Sequence, residues 1–159
     1  MSIVLFRIDE RLIHGQVVIG WGHELRPDRY IVVDDEIAAS DWEQELYRLG
    51  AGEAEVVFTT VDEARGRVAD WGVDSPRSIL LTRDVSAMER LSRGGTLTGE
   101  EVNLGGLHAG PDRSEVLNYL YLTQGDRDDL RSLAAGGVTV SARDLPDAAR
   151  VDLESLLKP

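Results

Sequence analysis

The sequence predicts an α/β protein: an open, mostly parallel sheet with helices on both faces and an antiparallel strand in its C-terminal part. Three observations carry this. Short apolar, β-branched runs at residues 3–8, 30–33, 55–59 and 78–82 read as buried strands. Segments of roughly ten residues with apolar positions at helical spacing separate them, as βαβ crossovers require. Two further strand-like runs, 101–104 and 119–122, follow each other with only a turn-rich segment between, which suggests an antiparallel pairing.

Ile3-Val-Leu-Phe-Arg-Ile8 is the first strand, with Arg7 near its end. Beyond a loop, Val17, Val18, Trp21 and Leu25 mark a helix over about residues 15–25, intrinsically weakened by Gly15, Gly20 and Gly22. Strand Tyr30–Val33 runs into Asp34-Asp35-Glu36. Ser40-Asp41-Trp42-Glu43 then has the capping-box spacing that opens a helix through about Leu49. After strand Glu55–Thr59, Thr60-Val-Asp-Glu63 repeats that signal for a helix ending around Trp71-Gly72. Ser78–Thr82 is the fourth strand. Val85, Met88 and Leu91 form the stripe of a helix from about Asp84 to Arg93, closed by Gly94-Gly95. Strands Glu101–Leu104 and Tyr119–Leu122, a helix Asp126–Ala135, a strand Val138–Ala142 and a helix after Pro146 complete the chain.

The 159 residues, 42% hydrophobic, suffice for one sizeable core, so one domain over 1–159 is expected. Neither a long apolar run nor a basic leader with a small-residue cleavage site is present, so a soluble, non-exported protein is expected. Without cysteine there is no disulfide, thiolate metal site or cysteine nucleophile. His14, His23 and His108 are the candidate nitrogen nucleophiles. Seventeen Lys and Arg against 29 Asp and Glu give a net charge of −12, which disfavours nucleic acid or an anionic membrane surface as a general partner. Any phosphate would have to be held by local donors against that field.

The loop Arg7-Ile-Asp-Glu-Arg-Leu-Ile-His-Gly-Gln16 offers such donors where strand one gives way to a helix, the edge at which open α/β sheets bind ligands. Free N–H groups and the positive dipole end favour an anion near Gly15. Arg7, Arg11 and Gln16 add side-chain donors, and a guanidinium can grip phosphate through two parallel hydrogen bonds. His14 suits acceptance and release of a phosphoryl group, since an imidazole ordinarily titrates near neutrality. Asp9 repels phosphate directly but could orient the imidazole N–H or hold Arg7 or Arg11 in place, and the orienting role is favoured. A merely structural histidine is the commoner fate of a lone His after a strand.

Arg7-Ile-Asp-Glu-Arg-Leu-Ile-His-Gly-Gln-Val17 resembles the signature loop of enzyme IIB in the mannose/fructose/sorbose branch of the bacterial phosphoenolpyruvate-dependent sugar phosphotransferase system. Val32-Val-Asp-Asp-Glu-Ile-Ala38 and Val102-Asn-Leu-Gly-Gly-Leu-His108 resemble that family's next motifs, so the resemblance spans nearly the whole chain. It implies that His14 accepts phosphoryl through Nδ1 from a phosphohistidine on enzyme IIA and passes it to a hexose-class sugar entering through membrane IIC and IID components. It matches Arg11 to the arginine supporting the phosphoryl group, and Asp9 and Gln16 to motif positions of unassigned role. It implies a cytoplasmic protein that associates peripherally with the carrier. Glu10 departs from the commoner Asp and keeps the charge. Neither a metal nor a cofactor is expected, ligand spacings such as H-E-x-x-H being absent.

Other residues could reach the same edge. Asp34 and Asp35 either hydrogen-bond the active loop or fill turn and capping positions, the latter being commoner. Arg83 either approaches the site or forms a surface salt bridge. The glycines before His108 either line the pocket or make a tight turn, and His108 could meet a partner. His23 belongs outside the site. Docking of an anionic phospho-partner suggests an uneven field, with Arg7, Arg11 and Arg83 around an apolar contact made by Leu12 and Ile13. Self-association could use an edge strand or the face carrying Trp42 and Tyr47. A regulatory module with the same fold and phosphorylatable histidine is the alternative function. A generic nucleotide binder lacks the glycine fingerprint after strand one.

Overall fold

Seven strands form one sheet in the computed structural model, which describes residues 2–159. The strands in chain order are β1 (Ile3–Ile8), β2 (Arg29–Val33), β3 (Glu55–Thr59), β4 (Ser78–Thr82), β5 (Glu101–Leu104), β6 (Ser114–Leu117), β7 (Leu120–Leu122), β8 (Thr139–Ala142) and β9 (Val151–Asp152). The sheet order is β3-β2-β4-β1-β5-β8-β9, parallel throughout except for the antiparallel edge strand β9. The open, mostly parallel sheet is as the sequence predicts. The antiparallel pairing lies elsewhere than between 101–104 and 119–122: β5 joins the sheet in parallel, and β7 pairs with β6 in a separate hairpin. Ser114–Leu117 was not legible as a strand because its side chains are exposed or half-buried, without a clear apolar alternation.

Helices cover both faces. They are α1 (Gly22–Leu25), α2 (Asp35–Ala38), α3 (Asp41–Gly50), α4 (Val61–Arg65), α5 (Val68–Trp71), α6 (Val85–Ser92), α7 (Gln124–Ala135) and α8 (Leu153–Leu156). One core layer joins Phe6, Ile8, Leu80, Val102 and Val140 of the sheet to Val61, Met88, Leu91, Leu130 and Leu133. The other joins Tyr30, Val32, Ile79 and Leu81 to Leu12, Ile13, Val17, Trp21 and Ile37. The strand pleat produces both layers, because alternate residues face opposite sides.

Local departures have physical causes. The first helical stretch opens as a π-helical turn, Gln16–Trp21, before α1. The His14 carbonyl accepts from both Val17 N–H, at 3.0 Å, and Val18 N–H, at 2.8 Å. The helix expected to end near Trp71 is broken at Gly66-Arg67 into α4 and α5, where poor helix propensity coincides with Arg67 stacking 4.7 Å over the Trp71 ring. Thr60 caps α4 as expected, whereas the Ser40 side chain makes no capping bond to α3. Helix α7 starts two residues early because Thr123 and Asp126 form a reciprocal capping box. Strand β9 delays the last helix to Leu153, capped by Asp152.

Candidate active site

Strand β1 lies between β4 and β5. The chain leaving β1 enters the core layer of Trp21, while the helices after β4 and β5 pack on the opposite layer. Adjacent strands whose connections depart to opposite faces leave a crevice at their carboxyl ends, and ligands of open α/β sheets bind there. The loops after β1 and β5 meet at this place: Glu10 N–H donates to the Gly106 carbonyl at 2.9 Å.

Phe6 and Ile8 point into one core layer, so Arg7 points into the other and is fully buried. Its guanidinium lies 5.4 Å from the Trp21 ring centroid, a cation–π contact. Nε and Nη2 donate to Asp9 Oδ2 at 3.2 and 3.0 Å. Nη1 donates to Asn103 Oδ1 and, at 2.9 Å, to the Arg143 carbonyl; Nη2 also donates to the Asp144 carbonyl at 3.1 Å. These bonds engage all five guanidinium N–H groups. Gly105 makes the room, since a Cβ there would sit 2.3 Å from Nη2. Burial lowers the Arg7 pKa, and the neighbouring Asp9 charge works against that shift.

Asp9 is also fully buried. Oδ2 accepts from Arg7 and meets His14 Nε2 at 2.9 Å, while Oδ1 accepts the Arg11 backbone N–H at 3.1 Å. Burial alone would raise the carboxyl pKa, but the His14 hydrogen bond and the Arg7 charge outweigh it and hold Asp9 below the usual value. An ionised carboxylate can only accept, so His14 Nε2 carries the hydrogen, and in the neutral imidazole the lone pair is then on Nδ1.

The loop is held open at its tip by a strained residue. Leu12 takes a φ of +55°, rare for a non-glycine residue, with its side chain fully buried. Such a conformation costs about 1–3 kcal/mol and persists only where the surroundings over-determine it; here the core layer holding Leu12, Ile13 and Val17 does so. His14 is thereby lifted to the surface, its side chain 15% exposed. Arg11 is exposed, and no ion pair engages it among the described residues. In front of Gly15 there is open space. Gln16 is half-buried at the start of the π-helical turn.

Glu10 ties the second loop down. Its carboxylate accepts from Arg113 Nη1 at 2.9 Å and from the His108 N–H at 3.2 Å, and also bonds His108 Nδ1. Burial would raise the Glu10 pKa, but these partners hold it below the usual value.

Several expectations are corrected. Arg7 was expected to grip phosphate, yet every donor it has is taken by the protein, so it serves as the buried anchor of Asp9. Leu12 and Ile13 are core residues, which removes them as an apolar docking contact. Arg83 pairs with Asp34 at 2.9 Å and Glu36 at 3.0 Å. Asp34 also caps α2, and Asp35 accepts from Val61 N–H and pairs with Arg90, so the turn and capping reading describes both. Asn103, Glu10 and Arg113 have no role that the sequence alone assigns. The one available signal was Asn103 itself, an amide embedded in an apolar strand, where a buried polar group needs a partner.

The chain as a whole has counterparts among known proteins. The family model described as PTS system sorbose subfamily IIB component matches residues 3–159. The chain is 31% identical over 163 residues to the PTS fructose-specific EIIB component of Bacillus subtilis (strain 168), covering 99% of this chain and 97% of that one. It is 32% identical over 159 residues to the PTS mannose-specific EIIAB component of Escherichia coli (strain K12), covering 99% of this chain and 49% of that longer protein. The crystal structure of manxB from Thermoanaerobacter tengcongensis superposes with a TM-score of 0.84 at 27% identity, covering 98% of this chain and 94% of that one. The chain belongs to the sorbose-subfamily IIB components of the sugar phosphotransferase system.

Proposed function

We propose that His14 is the phosphoryl carrier of this IIB component, loaded by a phosphohistidine on enzyme IIA and unloaded onto a hexose-class sugar at the membrane IIC and IID carrier. The observation that carries this is the Asp9–His14 hydrogen bond at the crevice between β1 and β5. With Nε2 bound to Asp9, the Nδ1 lone pair forms a new N–P bond as the donor's N–P bond breaks. The positive charge that develops on the ring is met by Asp9, as an imidazolium is stabilised by a carboxylate in hydrolase triads. The phosphoryl oxygens meet the exposed Arg11 guanidinium and the backbone around Gly15, where a helical stretch begins. When a sugar hydroxyl attacks phosphorus, the N–P bond breaks with its electron pair returning to Nδ1, the hydroxyl proton passes to solvent or to a base of the carrier, and the ring returns to its starting tautomer.

A IIA partner is supported by the mannose-specific relative, whose name joins A and B components in one protein. The protein works in the cytoplasm and associates peripherally with its carrier; no helix among the described residues is long and apolar enough to cross a membrane. Incubation with phosphorylated IIA tests the reading: an acid-labile phosphohistidine should appear in the wild type and be absent from His14→Gln. Equal labelling of that variant would remove His14 from the role. A chain that is labelled but never passes phosphoryl to sugar at the carrier is a regulatory module.

A further inference from the structure

Three of the five exposed large hydrophobic side chains among the described residues lie on one helix: Trp42 (68% exposed), Leu46 (56%) and Leu49 (73%) of α3. Their spacing puts them on one face. The helix meets the core through its other side, from which Tyr47 packs against the layer around Trp21. Exposed apolar side chains clustered on one face mark an interaction site more often than scattered single residues do.

The charges around the stripe limit what can cover it. Asp41, Glu43 and Glu45 flank it, against a single cation, Arg48, which lies 3.9 Å from Glu45 and stacks 5.1 Å over the Phe58 ring. The rim is therefore negative, on a chain of net charge −12. A second copy or an anionic lipid surface would bring like charge to like charge. The complementary partner is cationic with apolar anchors. Cytoplasmic loops of membrane proteins supply the cationic part, since they carry an excess of Lys and Arg.

Position supports the same partner. The C-terminal end of α3 abuts the active loop: the place of a Cβ on Gly50 is 3.7 Å from both Ile13 Cγ2 and the Ile13 carbonyl, and His14 follows Ile13. A protein seated on α3 would thus border the loop that carries His14. Resting on the relay reading above, we infer that the α3 stripe docks a basic, apolar cytoplasmic segment of the membrane sugar carrier, and that the phospho-donor engages the loop side.

The test uses the full chain and inverted membrane vesicles bearing the cognate IIC and IID subunits, with carrier-free vesicles of the same lipid as reference. Trp42→Glu/Leu46→Glu, and separately the milder Leu49→Ser, should weaken carrier binding at least tenfold and about threefold respectively. Wild-type binding should also weaken with added salt, while the rate of phosphoryl uptake from IIA stays unchanged in both variants. Unchanged carrier binding by folded variants overturns the proposal. So does equal binding to carrier-free vesicles, a loss of uptake from IIA with carrier binding intact, or a wild-type dimer in sedimentation that the variants dissociate. If the wild type takes no phosphoryl from IIA, the relay reading fails, while the binding comparison still reports on the stripe separately.

Discussion

Asp9 Oδ2 lies 2.9 Å from His14 Nε2 and 3.0 Å from Arg7 Nη2, so one buried oxygen links a surface imidazole to a buried guanidinium. The imidazole is thereby held in one tautomer by a carboxylate that is itself held in place. Asp9→Asn preserves shape but can present an amide N–H to His14, which favours the opposite tautomer and puts a hydrogen on Nδ1. Phosphoryl acceptance from IIA should fall by roughly 100-fold or more. Nitrogen NMR of His14 checks the cause: the dominant protonated nitrogen should move from Nε2 to Nδ1.

The cradle around Arg7 is tested one residue away from the chemistry. Gly105→Ala places a methyl 2.3 Å from Nη2, so the guanidinium must give up part of its bonding. Destabilisation of about 1–3 kcal/mol is expected by denaturant unfolding, with slower phosphoryl acceptance although nothing near the phosphoryl group is altered. Arg7→Met strips buried Asp9 of its guanidinium partner and should cost more, about 3–5 kcal/mol.

The strained loop tip reverses an ordinary ranking. At most positions Gly is more destabilising than Ala, but Leu12 has a φ of +55°. Both substitutions lose the buried leucine, a cost of about 2–5 kcal/mol. Leu12→Gly relieves the backbone, so it should be more stable than Leu12→Ala by about 1 kcal/mol. Thermal or denaturant unfolding of the pair decides it.

The depressed Asp9 pKa fixes the sign of a pH effect. A carboxyl whose folded value lies below its unfolded one contributes stability that is complete above the unfolded value, near 3.8, and is lost as pH falls through the folded value. The stability gap between wild type and Asp9→Asn should therefore be largest near neutrality and close below pH 3.8, which unfolding at stepped pH measures.

Much of this architecture is legible in the sequence because each buried strand is a short apolar run, Ser78–Thr82 being an example, and because caps such as Thr60 and Asp84 act locally. His14, Arg11, Gly15 and Gln16 stand together in the chain as they do in the fold. The role of Arg7 is not legible for a physical reason: residue type says that a guanidinium can grip an anion, but not which way the pleat turns it. Only the tertiary structure brings Asn103 and the carbonyls of Arg143 and Asp144 to its donors. The same holds for Leu12 and Ile13, since an apolar pair in a polar loop reads equally as a docking knob or a core anchor. The Glu10 clamp on His108 and Arg113 spans about a hundred residues of chain and has no local signal.

The most direct measurement is phosphorus–nitrogen NMR of the chain after incubation with phosphorylated IIA, at a pH where phosphohistidine survives. Carriage on His14 with Asp9 on Nε2 predicts a single phosphohistidine whose phosphorus couples to Nδ1 of His14. A phosphorus coupled to Nε2, or to His23 or His108, would contradict it.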